Sequence, residues 1–201
     1  ATLVKRILDE TDIERIRMGS LEPWELHDDF WTLFENQRVM RHLHLPLQSG
    51  ADSVLRRMAR RCKTADFANL LQTARSLDPS FNITTDIIVG FPGETEQEWQ
   101  RGLEFIEACQ FGHVHIFAYS ARTGTKAATL PGRIDRDIQR QRSEQLHRLA
   151  ESMKRHNQSL LLGQTHRVLF EGNQQLNLDG SLTWSGYTPN FQRIQVTTHR
   201  N

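Results

Sequence analysis

Polar and glycine residues follow four hydrophobic segments of this chain, and these positions could bind a ligand. They are Ser20–Pro23, Gln48–Gly50, Gly90–Glu94 and Tyr119–Ser120. In parallel α/β proteins, ligands bind at the carboxyl ends of the strands, and glycine allows a close approach to the backbone. Any one of these segments could serve only as a turn or a helix cap. Their recurrence at the same end of four segments favours a binding site.

Asp86 is a carboxylate within a segment otherwise rich in Thr and Ile. A carboxylate facing the inside of a barrel needs a partner, because its desolvation is otherwise costly. That partner could be a polar group of a ligand or an arginine on a neighbouring strand. The sequence leaves both alternatives open.

Two histidine pairs alternate along strand-like segments, His42 with His44 and His113 with His115. Alternate residues of a strand share a face, so each pair could ligate a metal ion. No Asp or Glu companion stands at the expected spacing within either segment. The sequence therefore predicts histidines of a barrel interior or surface, and no metal site.

Cysteine content and charge restrict the class of protein. Cys62 and Cys109 are far apart, which indicates a reduced cytoplasmic protein without a disulfide framework. There is no apolar run long enough to span a membrane. Residues 133–167 carry a net charge of +4, whereas the whole chain carries +1. This excess indicates either a surface for a polyanion or a solvated helix face.

The hydrophobic pattern predicts an α/β protein with three parts. Residues 1–132 alternate strands with helices, which indicates part of a parallel (β/α) barrel. Residues 133–163 read as a long, basic connecting helix, and residues 164–201 as a small antiparallel β domain. The predicted strands are Glu14–Gly19, His42–Leu47, Asn82–Val89, His113–Ser120, Thr165–Glu171, Leu176–Leu178, Leu182–Tyr187 and Phe191–Thr197. The predicted helices are Trp24–Asn36, Asp52–Arg61, one capped by Thr64, one opened by the capping box Thr95-x-x-Glu98, and Asp135–Leu162.

Five segments resemble the radical S-adenosylmethionine methylthiotransferases. They are Arg15–Pro23, His42–Gly50, Thr85–Thr95, Tyr119–Thr125 and Gly186–Phe191, and they occur in the family's order over nearly the whole chain. The resemblance implies a partial radical S-adenosylmethionine barrel followed by a TRAM domain, an OB-like β module that binds RNA.

The resemblance also implies an activity. Such enzymes use S-adenosylmethionine and [4Fe–4S] clusters to insert a methylthio group, usually into an adenosine next to the anticodon of tRNA. Details of Arg122–Thr125 and Tyr187–Asn190 look most like the branch that acts on threonylcarbamoyladenosine. The expected partner is the tRNA anticodon stem-loop. The family's other target, a ribosomal-protein aspartate, remains an alternative.

Matching positions imply the site residues. Those expected at the cofactor are Gln48, Ser49, Gly50, Arg60, Asp86 and Gly90. The arginine is the least specific of these, because Arg57 and Arg61 are close neighbours. Those expected to contact RNA are Arg167, Tyr187 and Arg193, since arginine neutralises phosphate and aromatic rings stack on unpaired bases. An ordinary β surface with Tyr187 in the core is the alternative.

The chain departs from the family in its cysteines. The family's Cys-x-x-x-Cys-x-x-Cys loop is not found, and two scattered cysteines cannot replace it. We therefore expect a fragment of the enzyme that is inactive alone. Two other hypotheses remain open. The chain could be a non-catalytic RNA-binding module, or an unrelated barrel enzyme such as a lyase that uses Asp86 and the paired histidines.

Overall fold

The computed structural model describes residues 1–199, which form two β-sheets joined by a long helix. The first sheet is parallel, in the order β1 (His42–His44), β2 (Asn82–Val89) and β3 (His113–Ala118). The second sheet is antiparallel, in the order β4 (Leu169–Leu176), β5 (Leu182–Tyr187) and β6 (Arg193–Thr198). The α-helices are α1 (Thr2–Glu10), α2 (Asp28–Trp31), α3 (Asp52–Arg57), α4 (Thr64–Leu77), α5 (Glu96–Cys109) and α6 (Arg136–Ser159). Among residues 1–199, no helix is long and apolar enough to cross a bilayer.

The side chains of β2 show that one face of the first sheet packs against the core and the other is open. Ile83, Ile87 and Val89 are at most 1% exposed and belong to the main hydrophobic core under the helices. Asp86 and Ile88 point to the other side, because alternate residues of a strand face opposite ways. We call the side that carries Asp86 the inner face.

Two helix starts differ in how well the sequence predicts them. The capping box is confirmed: the Glu98 N–H donates to Thr95 Oγ1 at 3.2 Å, and the Thr95 N–H donates to a Glu98 carboxylate oxygen at 2.9 Å. Thr64 as a cap is wrong, since Lys63 is the N-cap residue. The Thr64 N–H instead donates to the Asp52 carboxylate at 2.8 Å, so a side chain from α3 satisfies it.

Helix α6 packs through a narrower apolar stripe than its sequence indicates. Leu146 and Met153 are buried in the main core. Ile138 is 44% exposed, so it lies off the stripe. Arg142 is 5% exposed, and the buried carboxylate that pairs with it accounts for a cation in this position.

The predicted strand Glu14–Gly19 is wrong, because this segment makes only isolated parallel bridges. They join Ile16 to Val39 and Ser20 to His44. The neighbouring strand β1 has three residues instead of the six expected. The segment nevertheless runs beside β1 and brings its carboxyl end to the same edge of the sheet.

The predicted helix Trp24–Asn36 is broken into α2 and two 3₁₀ turns, Pro23–Glu25 and Thr32–Glu35. Phe30, Trp31 and Phe34 pack edge-on or tilted against one another in the core. Trp31 and Phe34 also pack against Phe81, and these long-range contacts compete with the helical pattern of the sequence. Helix α1 was not predicted by the sequence reasoning.

The second sheet has three strands where four are predicted. Strand β4 runs through Gly172, which was expected to end a strand, and its pairing with β5 is irregular between Phe170 and Gln174. The chain turns between β4 and β5 at Asp179 and Gly180, and Gly180 has a φ of +78°. At this position glycine avoids the strain that a side chain would create.

The second sheet docks at the amino end of the first. The Asn82 side-chain amide donates to the Asn190 carbonyl at 2.9 Å, and the Asn190 amide donates to the Ser80 carbonyl at 3.0 Å. Arg15 donates to the Tyr187 carbonyl at 3.2 Å. The small β domain is therefore fixed at the end of the strands opposite the candidate ligand site.

Candidate functional site

The segment after β1 stays paired with β2 at the carboxyl edge of the sheet. The Gln48 N–H donates to the Asp86 carbonyl at 2.8 Å, and the Ile88 N–H donates to the Gln48 carbonyl at 2.9 Å. Gln48 has a φ of +73°, which is uncommon for a residue other than glycine. Such backbone persists where surrounding contacts enforce it, often at functional sites. These contacts bring Gln48 beside Asp86, as the sequence predicts.

A cavity of about 420 Å³ opens at this edge. Gln48, Asp86 and Ile88 line one side, and Tyr119 and Arg122 line another. The Tyr119 hydroxyl oxygen is buried and has no hydrogen-bond partner among the described residues. A buried hydroxyl without a partner costs free energy, which a ligand with a polar group would recover. The cavity therefore has the size of a small-ligand site, and one residue of its wall carries an unsatisfied, buried hydroxyl.

Ser49, Gly50 and Gly90 lie at the same edge but have structural surroundings of their own. Ser49 Oγ accepts a hydrogen bond from the Ala51 N–H at 3.3 Å. A Cβ on Gly50 would lie 2.9 Å from the Gly102 Cα, so Gly50 allows α5 to approach the loop. Gly90 has a φ of +77° and lines a neighbouring cavity of about 430 Å³.

Arg60 is already paired with a carboxylate at the edge. Its Nη2 lies 2.9 Å from Glu22 Oε2 and donates to the Pro46 carbonyl at 3.4 Å. Its guanidinium lies 5.0 Å from the centre of the Trp24 ring. Arg57, the neighbour considered with it, donates to both carboxylate oxygens of Glu98 and so joins α3 to α5.

A buried ion pair holds the loop behind the cavity. Arg142 Nη1 lies 3.1 Å from Glu94 Oε2, and both side chains are at most 6% exposed. Burial raises the pKa of Glu94 to about 7, although Arg142 and the Gly90 N–H oppose this rise. The neighbouring Glu98 behaves in the opposite way, because hydrogen bonds from Arg57 lower its pKa to about 2. The Gly90–Glu94 loop is thus anchored to α6 by charge as well as by packing.

The two cysteines do not suit an iron–sulfur cluster. Cys62 and Cys109 are both buried, at 9% and 3% exposure. Burial raises the pKa of Cys62 to about 11 and the pKa of Cys109 to about 12, so both remain neutral thiols near pH 7. Cluster ligands are thiolates. The described residues therefore do not fit such a cluster, and no chemical step is derived through it.

The predicted RNA contacts are dispersed over the second sheet. Tyr187 stacks on Phe191 at 4.7 Å, and Arg17 lies 4.1 Å from the Phe191 ring centre, so this aromatic pair is engaged in docking. Arg193 is exposed and shares a cavity of about 490 Å³ with Tyr187. Arg167 is 85% exposed and lies 3.7 Å from Glu14. The two arginines can meet a polyanion, whereas the Tyr187 ring is already covered on one face.

A carboxylate accompanies two of the histidines in space, although none stands within their own strands. His44, Asp86 and His115 come from three adjacent strands, and one ligand atom of each lies within 4.8 Å of the others. Sequence reasoning missed this group because it searched for an acidic residue along one strand. The alternating polar positions of three parallel strands were the signal that could have revealed it.

Comparison with known proteins shows the family. Residues 3–106 match the model of the radical SAM superfamily, and the chain belongs to that family. The fold agrees: coproporphyrinogen III oxidase from Escherichia coli, a radical SAM enzyme, superposes with a TM-score of 0.60 at 17% identity. That match covers 76% of this chain and 36% of the oxidase chain.

Relatives with higher sequence identity are tRNA-modifying enzymes by name. The chain is 39% identical over 172 residues to the threonylcarbamoyladenosine tRNA methylthiotransferase of Thermotoga maritima. It is 33% identical over 189 residues to the tRNA-2-methylthio-N(6)-dimethylallyladenosine synthase of Syntrophotalea carbinolica. These matches cover 85% and 92% of this chain, but only 40% and 43% of the relatives. The chain thus spans about two-fifths of the length of these relatives.

Proposed function

We propose that this chain is part of a methylthiotransferase that modifies tRNA with S-adenosylmethionine. The observation that carries the proposal is the cavity at the carboxyl edge, which Gln48, Asp86 and Tyr119 line. S-adenosylmethionine, when bound there, would supply the methyl group and the radical chemistry of the family. Gln48 and Asp86 would accept or donate hydrogen bonds to its polar groups, and Tyr119 would gain the partner it lacks.

The specific substrate that we propose is threonylcarbamoyladenosine next to the anticodon, modified at C2. The relative from Thermotoga maritima carries this substrate in its name, and the motifs Arg122–Thr125 and Tyr187–Asn190 favour the same branch. Dimethylallyladenosine is the second candidate, because the Syntrophotalea relative is named for it. Mass spectrometry of tRNA nucleosides from a strain lacking the gene distinguishes them. Loss of the 2-methylthio form of threonylcarbamoyladenosine supports the proposal; loss of only the dimethylallyl form assigns the second substrate; loss of neither contradicts both.

Arg193 and Arg167 are the residues that we propose for contact with the tRNA anticodon stem-loop. Both are exposed, and α6 adds the basic excess of residues 133–167. Each phosphate contact adds about one unit to the slope of log affinity against log salt. Filter binding of a stem-loop to Arg193→Ala and Arg167→Ala should show weaker binding and a shallower slope. Arg6→Ala, on α1, is the control, and equal losses in all three variants would contradict the assignment.

We also expect this 201-residue chain to hold no [4Fe–4S] cluster and to be inactive alone. Its two cysteines are buried neutral thiols, and two thiolates are fewer than a cluster requires. Anaerobic reconstitution followed by iron and sulfide analysis provides the test. We expect substoichiometric iron that is removed by desalting; four irons and four sulfides retained per chain would contradict this expectation.

A further inference from the structure

Three potential metal ligands converge on the inner face, and one of them, Asp86, also lines the cavity of about 420 Å³ at the carboxyl edge. His44 lies on β1, Asp86 on β2 and His115 on β3, and the strand register places Asp86 directly beside His115. The Nε2 atom of His44 lies 3.2 Å from Asp86 Oδ2. All three ligand atoms lie within 4.8 Å of one another, close enough for one ion to contact them after small side-chain rotations.

We propose that His44, Asp86 and His115 bind one divalent transition-metal ion. Two imidazoles and one carboxylate form the ligand set typical of zinc or of non-haem iron, and they leave coordination positions open. His115 is exposed and borders the cavity beside the second sheet, so water or a small ligand can reach those positions. The single carboxylate leaves a divalent ion with a net positive charge, suited to an anionic or carbonyl oxygen.

Thr84 can orient His44 for this role. The Thr84 hydroxyl oxygen lies 2.9 Å from His44 Nδ1 and 3.1 Å from His42 Nε2. If the His44 Nδ1–H donates to Thr84, the Thr84 hydroxyl can in turn donate to His42. Both contacts of the Thr84 hydroxyl are then satisfied, and the lone pair of His44 Nε2 faces Asp86. A hydrogen bond from the second ring nitrogen is how proteins usually fix a metal-binding histidine.

His113 provides a matched control on the same strand. Its ring centre lies 4.6 Å from that of His115, and both side chains are on the inner face. The strand register nevertheless aligns His113 with Thr84, two residues along the strand from Asp86. His113 is absent from the three-residue group within the described part of the chain.

Titration with Co²⁺, followed by its visible absorption and by competition with Zn²⁺, tests the proposal. The chain should carry no affinity tag, because a tag would add histidines. We expect one equivalent to bind, with the spectrum of nitrogen and oxygen ligands. His115→Ala and Asp86→Asn should each weaken binding at least tenfold, whereas His113→Ala should retain it within about twofold.

Three results of the Co²⁺ titration would contradict the proposed metal site. Equal affinity in the wild type and His115→Ala, or no saturable absorption in the wild type, would show that His44 and Asp86 form only a hydrogen bond. Equal loss in His113→Ala would also overturn the assignment. Because His115 is exposed, its variant should fold normally, which far-ultraviolet circular dichroism will verify. The titration contains neither S-adenosylmethionine nor tRNA, so its outcome is independent of the methylthiotransferase proposal.

Discussion

Replacing Arg142 with leucine should destabilise the protein in a way that depends on pH. The change leaves Glu94 buried without its cation, and the Arg142 side chain is 6% exposed while that of Glu94 is 3% exposed. Removing one partner of such a pair costs about 3–5 kcal/mol. The lost contact with Glu96, at 3.0 Å, adds little because that carboxylate is 66% exposed. A loss of this size is a large part of the stability of a typical domain.

The pH dependence follows from the raised pKa of Glu94. Its folded pKa of about 7 lies above the unfolded value of 4.5, so the native state binds more protons between these values. This group therefore stabilises most at low pH, and its contribution declines as pH rises through about 7. Without Arg142 the pKa of Glu94 should rise further, because the arginine lowers it. The deficit of Arg142→Leu should then grow by about 1 kcal/mol between pH 7 and 8, because Glu94 of the wild type still loses part of its proton over this range.

Urea unfolding at pH 6, 7 and 8, followed by circular dichroism, measures this effect. Arg140→Leu is the matched control on α6, because Arg140 is 69% exposed and pairs with Asp137 on the surface. It should cost less than about 1 kcal/mol at every pH. Adding Glu94→Gln to Arg142→Leu should remove the growth of the deficit with pH. A deficit that is constant from pH 6 to 8, or no larger than that of the control, would refute the reasoning.

Three further predictions concern other contacts. Burial lowers the pKa of His42 to about 3, below its unfolded value of 6.5, so the stability that it contributes should be lost as pH falls from about 6.5 towards 3. In His42→Gln, the thermal unfolding midpoint should therefore depend less on pH over that window. A pH dependence equal to that of the wild type would contradict this prediction. Gly50→Ala should lower the free energy of unfolding in urea by about 1–3 kcal/mol, because the added Cβ would meet the backbone of α5. Gly19→Ala should be nearly neutral, because open space surrounds Gly19. Equal costs for the two variants would refute the close contact between Gly50 and α5. Glu98→Gln should lower the free energy of unfolding by about 1.5–3 kcal/mol at pH 7, since hydrogen bonds from Arg57 hold the pKa of Glu98 near 2. The difference in stability from the wild type should shrink as pH falls from 4.5 towards 2. A difference that does not change with pH would argue against an ionic origin.

Local patterns in the sequence predicted the elements that local forces determine. Strand β2 follows from its β-branched residues and its Ile87–Val89 run, and the start of α5 follows from Thr95 and Glu98. The broken helix near Trp31 could not be predicted, because aromatic packing with residues distant in sequence decides it. Local propensity is a weak guide wherever such tertiary contacts compete with it.

The candidate site was predictable only in its position along the chain. The ends of three strands marked the edge where Gln48 and Asp86 meet, since parallel strands present their carboxyl ends together. The group of His44, Asp86 and His115 depends on the register between strands, which one sequence does not determine. Arg142 and Glu94 are 48 positions apart, so their pairing likewise required the three-dimensional fold.

Nuclear magnetic resonance of the isotope-labelled chain tests the central claim most directly. Titrating S-adenosylmethionine to millimolar concentration, with adenosine as a second ligand, should shift the backbone amides of Gln48, Ile88 and Tyr119 in a saturable manner. Tyr119→Phe should weaken that binding, because it removes the unpaired buried hydroxyl. The amides of β4–β6 should remain unchanged. Saturable shifts confined to the second sheet, or none at the carboxyl edge of the first, would contradict the account.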